Sequence, residues 1–185
     1  MKAIKISEHG HREALIGMAL SYYHEGEDLE RWLGTRDLRK LAKTGAALIR
    51  KGPDHGKWIR AISTWWLITA PRFWWSEADT YKVGTVALSA STMHTLAKGE
   101  VTPAHFEGDI YPSDLERINM AISAGAPIDQ VKALLPEGYL QTRLWVANYQ
   151  VLRTILHQRE GHRLPQWQSF REAVLSQADY PELLK

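Results

Sequence analysis

The sequence predicts one mixed α/β domain of the α+β kind, spanning residues 1–185, and three observations predict it. Its 185 residues are 44% hydrophobic and 24% charged, which is enough apolar material for a single sizeable core. Residues 58–69 alternate as a strand does, with Ile62, Thr64, Trp66 and Ile68 on one side. Other stretches repeat apolar residues at helical spacing, most clearly between Gln141 and Arg159.

Taken in order, Lys2 to Ile6 alternates like a short strand, and residues 11–23 place Leu15, Met18, Ala19 and Tyr22 on one helical face. His9 and His11 flank a glycine with no carboxylate at ligand spacing, so no metal is expected there. Residues 23–34 read as a charged, exposed turn. Thr35 reads as the cap of a helix over residues 36–50, with Leu38, Leu41, Ala42, Leu48 and Ile49 inward and its basic residues on a solvated face; Gly52-Pro53 is the stop. After the strand, Pro71 suits the first turn of a helix running towards Lys82. Residues 98–112 are loop-like, and Ser113 to Glu116 form a capping-box opening to a helix that ends near Gly125. Residues 129–134 form a short helix that delivers Lys132 to the Leu135-Pro136 turn. Beyond Trp167, the residues Phe170, Val174 and Leu175 describe a terminal helix.

The stretch from Gln141 to Arg159 reads as one helix, because Leu144, Leu152 and Ile155 recur with neither Pro nor Gly between them. At about 100° per residue, Asn148 and Arg159 fall on the same stripe as those aliphatics. A guanidinium there is either bonded to an internal carboxylate or open to a planar or anionic ligand.

Composition closes several functional classes. A net charge of +2, with 23 basic and 21 acidic residues spread along the chain, argues for no nucleic-acid and no membrane partner, while leaving room for a small polyanion. There is no Cys, so disulfides, thiolate catalysis and Cys-based metal sites are excluded. No signal-like apolar core follows the amino terminus, and a cytoplasmic protein is expected. Trp65-Trp66 and Trp74-Trp75 suggest either a core crowded with rings or an aromatic subunit interface.

From Lys132 the chain carries Leu135-Pro136, Thr142, Asn148 and Arg159, followed by His162 and Gln166-Trp167. This pattern resembles the carboxy-terminal part of flavin-dependent thymidylate synthases, and Ala70-Pro71-Arg72-Phe73 resembles their A-P-x-F after a strand. The resemblance implies a curved, mostly antiparallel sheet flanked by helices, a homotetramer, and nucleotide sites where subunits meet. It implies that Arg159 reaches the pyrimidine base of deoxyuridylate, that Lys132 holds its phosphate, and that Ser91 joins the phosphate site while Met93 replaces an arginine. Asn148 and Gln150 complete the expected substrate-binding set, Gln150 standing where the family has a flavin-contacting arginine.

One departure is large. At the distance from Pro71 where the family carries R-H-R against its flavin, this chain has Thr80, Tyr81 and Lys82. Two guanidiniums and an imidazole are lost, which argues against FAD bound in the family's way. Around the departure lie Glu77, Asp79, Tyr81, Lys82, Ser89, Ser91 and His94, a polar group that could bond a nucleotide, hold an acid and a base such as Glu77 and His94, or form a solvated helix face. No catalytic residue is assigned. The expected function is pyrimidine-nucleotide binding, extended on one reading to a dUMP C5-modifying, methyltransferase-type enzyme. On the other reading the protein is a non-catalytic homotetramer that senses or sequesters a nucleotide, as a phage or prophage protein capturing an immune signal does.

Overall fold

In the computed structural model, which describes residues 1–185, a four-stranded antiparallel sheet in the order β1-β2-β4-β3 organises the chain. β1 is Lys2–His9, longer than its alternation suggested, and α1 follows over His11–Ala19. Gly10, at φ 90°, makes the turn between them, and a Cβ there would collide with the Ala61 carbonyl oxygen. The expected exposed turn contains a short helix, α2, over Leu29–Gly34. Asp28 caps it and Trp32 is buried, an anchor that the surrounding charge concealed. α3 is Leu38–Ile49, and its cap is Asp37 rather than Thr35: the Asp37 carboxylate accepts from the Arg39 and Lys40 amides.

β2 covers Ser63–Pro71, starting five residues later than the alternation predicted because Lys57–Ala61 winds into a 3₁₀ turn. α4 is Arg72–Ala78. β3, Thr85–Ser89, stands in what read as a solvated polar helix face. It is an exposed edge strand positioned by Gly84 at φ 80°, where a Cβ would meet Val151 at 2.9 Å. α5 is Thr92–Thr95, and α6 spans Pro112–Ser123 with Tyr111 at its start instead of the expected capping box. α7, Ile128–Ala133, carries Lys132 as anticipated.

The principal correction falls on residues 141–159. Leu140–Asn148 is strand β4, paired with β2 on one side and β3 on the other, and only Tyr149–Gln158 is helix, α8. Asn148 caps that helix, its side chain accepting from the Val151 amide at 2.9 Å, and Arg159 lies at the other end. The two residues are therefore ends of one helix and not members of one stripe. α9, Pro165–Gln177, completes the fold.

One face of the sheet meets the helices. Trp66, Ile68, Trp145 and Ala147 lie there, with Trp74, Trp75, Trp167 and Phe170 packed on them, all nearly or fully buried. Trp74 is the hub, its ring 4.7 Å from Trp167 and 4.8 Å from Trp75. Of the two readings of the Trp pairs, the core takes Trp66, Trp74 and Trp75. Thr64, buried on the same side, accepts the Trp66 indole N–H and donates to the Ala147 carbonyl. A smaller cluster of Val101, Phe106, Ile118, Val131 and Tyr139 ties α6 and α7 beside it.

The other face is open. Cross-strand pairing lines up Ile4, Leu67, Leu144 and Leu88 in one row, and Trp65, Val146 and Val86 in the next. Val86 and Leu88 are more than half exposed. No helix is long and apolar enough to cross a membrane.

Candidate functional site

Two polar centres on the helical side carry Arg159, Glu77, Tyr81 and Lys132. The first is built on Arg159. Its Nη1 donates to Glu77 Oε2 at 2.8 Å and its Nε donates to the Tyr81 hydroxyl at 3.0 Å. Trp167 Nε1 also donates to Glu77 Oε2 at 2.8 Å, and the guanidinium lies 4.6 Å from the Trp167 ring centroid. The Tyr81 hydroxyl in turn donates a hydrogen bond to Gln158 Oε1 at 3.0 Å. The His162 ring accepts the Leu164 amide through Nδ1 at 3.2 Å, and its Nε2 lies 3.0 Å from Arg159 Nη1 and 3.5 Å from Glu77 Oε2. Two donors thus converge on one carboxylate oxygen. Of the alternatives for Arg159, the internal carboxylate is present.

The second centre is a cavity of about 190 Å³ lined by Arg72, Thr92, Lys132, Leu135, Tyr139 and Gln141. Here α4 and α7 each bring a cation to the end of β4. Arg72 is steadied by the Leu135 carbonyl at 3.1 Å and by Glu137 at 3.3 Å, while Lys132 has no ion-pair partner. Burial raises the phenol of Tyr139 above its ordinary value, so the ring enters the cavity neutral. Arg72, Thr92, Tyr139 and Gln141 were not among the candidates. Arg72 stands inside the quoted Ala70-Pro71-Arg72-Phe73, which was the available signal.

The remaining candidates divide. Ser91 precedes α5 and adjoins Thr92, its carbonyl accepting from the His94 amide and the Thr95 hydroxyl. Gln150 is partly buried in the first turn of α8, and Asn148 is spent on capping. Ser89 ends β3, exposed. Lys82 borders a shallow, open depression with Asp79, Thr85 and Trp145. His94 is exposed and makes no bond to Glu77, whose partners are Arg159, Trp167 and His162, so the suggested acid and base are not brought together.

A third centre, not anticipated, surrounds Glu8 on β1. Its carboxylate accepts from His11 at 2.6 Å, from Lys5 at 3.0 Å, and from the Tyr149 hydroxyl. Burial opposes its charge, but these bonds outweigh burial and hold the carboxyl below the usual range. Burial likewise opposes the Lys5 ammonium, which bonds to Asp179 and Glu8 nevertheless raise. Glu8 is the carboxylate that the His9-His11 reading missed, three residues before His11. Glu8, His11 and Asp179 bring ligand atoms within 4.8 Å of one another, with Lys5 Nζ against both carboxylates as a built-in cation.

The positions that replace R-H-R do not fit a flavin held in the family's way. The Thr80 hydroxyl is turned back to the Glu77 carbonyl at 2.7 Å, Tyr81 is committed to Arg159 and Gln158, and only Lys82 is free.

No family model matches the chain, and no curated protein matches it in sequence. Among solved structures, the flavin-dependent thymidylate synthase ThyX from Helicobacter pylori, complexed with FAD and dUMP, aligns with a TM-score of 0.75 at 15% identity, covering 95% of this chain and 93% of that one. A second structure of the Helicobacter pylori enzyme with FAD and dUMP gives 0.74 at 14% identity and covers both chains completely. At that identity the likeness speaks for architecture, and the chain has the fold of the flavin-dependent thymidylate synthases.

Proposed function

We propose that this chain binds a pyrimidine nucleotide, with the phosphate in the cavity between α4 and α7 and the base towards Arg159. The observation that carries this reading is the meeting of Arg72 and Lys132 in one small cavity beside the Thr92 hydroxyl. Two cations and a hydroxyl suit a phosphate, whose charge and acceptor oxygens repay the desolvation of both. The two solved structures of the same fold hold dUMP, which makes deoxyuridylate the first ligand to test.

The binder reading takes precedence over the enzyme reading because Thr80 and Tyr81 are consumed by internal bonds where a flavin would need donors. The protein then senses or sequesters its nucleotide. Turnover at C5 of dUMP remains the second reading, supported by the shared fold, and it requires a reductant held elsewhere. The proposal extends to a cytoplasmic homotetramer whose subunits cover the open sheet face of Ile4, Leu67, Leu88 and Val86, an apolar surface too continuous to leave to water. Light scattering on the wild type and Val86→Lys tests that assembly; a wild-type monomer sinks it.

Calorimetry with dUMP and with inorganic phosphate tests the site. Lys132→Met should weaken both, whereas Arg159→Ala should weaken dUMP alone. Binding of dUMP that is indifferent to Lys132 removes the cavity from the site.

A further inference from the structure

Within the Arg159 centre each charged group keeps one atom unspent. Glu77 Oε2 accepts from Arg159 and Trp167, while Oε1 accepts nothing within the chain. Arg159 uses Nε on Tyr81 and Nη1 on Glu77, with His162 Nε2 also 3.0 Å from Nη1, while Nη2 has no partner. Neither atom is among the buried unsatisfied ones, and the two side chains are 17% and 33% exposed, so both atoms face solvent. The ion pair thus presents one N–H donor and one carboxylate acceptor.

Charge decides what this pair can hold. Glu77 cancels the guanidinium, so a phosphate gains little there and meets a carboxylate as well. A neutral planar group with a carbonyl oxygen next to an N–H satisfies both atoms: the oxygen accepts from Nη2, and the N–H donates to Oε1. The partly exposed Tyr81 ring, 5.4 Å from the guanidinium carbon, supplies a flat apolar wall, while the fully buried Trp167 ring backs the guanidinium from the core at 4.6 Å.

We infer that Arg159 and Glu77 together read the imide edge of a pyrimidine base, with Glu77 as the specificity-determining residue that requires a hydrogen on the ring nitrogen N3. This rests on the nucleotide reading above and deepens it by dividing the ligand: phosphate to the Arg72 and Lys132 cavity, base edge to the neutral pair. In Glu77→Gln the amide oxygen can take over the bonds from Arg159 and Trp167. The amide NH₂ then stands where Oε1 was, a donor facing a donor.

The test is calorimetric titration of the full chain with deoxyuridine 5′-monophosphate and its N3-methyl analogue, in wild type and Glu77→Gln. The wild type should prefer the unmethylated nucleotide by at least about tenfold. The variant, its melting temperature retained, should bring the ratio close to one by losing affinity for the unmethylated compound. Equal binding of the two compounds by wild type overturns the role of Glu77 while leaving nucleotide binding intact, and an unchanged ratio in the variant does the same. If neither compound binds, the nucleotide reading and this inference fall together. Should the variant not fold, Glu77→Asp, which keeps the charge but shortens the reach, must give an intermediate ratio.

Discussion

Glu8 and Glu77 anchor two clusters of similar composition, each with a basic partner, a histidine and a tyrosine nearby, yet the clusters differ in how completely they are closed. The Glu8 side chain is 1% exposed and both its oxygens are engaged, by Lys5, His11, Tyr149 and the Asp179 amide. Glu77 is 33% exposed, bonded through one oxygen and free at the other. A saturated buried cluster has nothing left to offer a ligand, and it locks β1 to α8 and to the segment after α9. A half-open cluster is cheap to rearrange and keeps directional bonds in reserve. The same residue types therefore serve stability in one place and, on the inference above, recognition in the other.

The comparison breaks most visibly at Glu8. Glu8→Ala should cost about 3–5 kcal/mol, because Lys5, His11 and Tyr149 lose their shared acceptor in a closed site. Urea unfolding measures this, and a loss below about 1 kcal/mol would place Glu8 with the weak surface pairs. The pH dependence sharpens the point. The folded Glu8 carboxyl lies below its unfolded value, so its contribution is present above about pH 4.3 and is lost as pH falls through the folded pKa. Lys5 is raised, so its contribution holds below about pH 10.4 and is lost as pH climbs through the folded value. Unfolding midpoints across both windows should fall at each end for wild type, and Glu8→Gln should flatten the acid limb.

Arg159→Ala should act in the opposite sense. Loss of a charged hydrogen bond should weaken nucleotide binding by about 1.5–3 kcal/mol, with less than about 1 kcal/mol of stability lost, since the pair is partly solvated. Unchanged affinity in calorimetry would make Arg159 structural. Tyr81→Phe should give the smallest effect, about 0.5–1.5 kcal/mol on binding, through a guanidinium freed from one orienting bond. A larger effect on melting than on binding would reassign Tyr81 to the core.

Legibility in the sequence followed the range of the interactions. Core sides of β2 and α3, the helix carrying Lys132 and the resemblance running from Lys132 to Trp167 all rest on local spacing, and the structure bears out these elements and the fold. The reading failed where two periods coincide. Leu144, Asn148, Leu152 and Ile155 satisfy a continuous helix, but Asn148 is equally a cap, and Thr142, Leu144 and Val146 alternate equally well as a strand. Nothing within twenty residues distinguishes the two.

The sequence by itself determined an α+β chain, the absence of cysteine chemistry and the identity of Lys132 and Arg159 as candidate cations. Tertiary structure decided that Leu140–Asn148 is a central strand, because its partners in β2 and β3 lie more than fifty residues earlier. It decided too that Glu77 faces Arg159 while Glu8 is sealed behind Tyr149. Hydrogen-bond saturation and exposure belong to the packed chain: a carboxylate's partners come from elements distant in sequence, and no local pattern specifies which of its oxygens stays free.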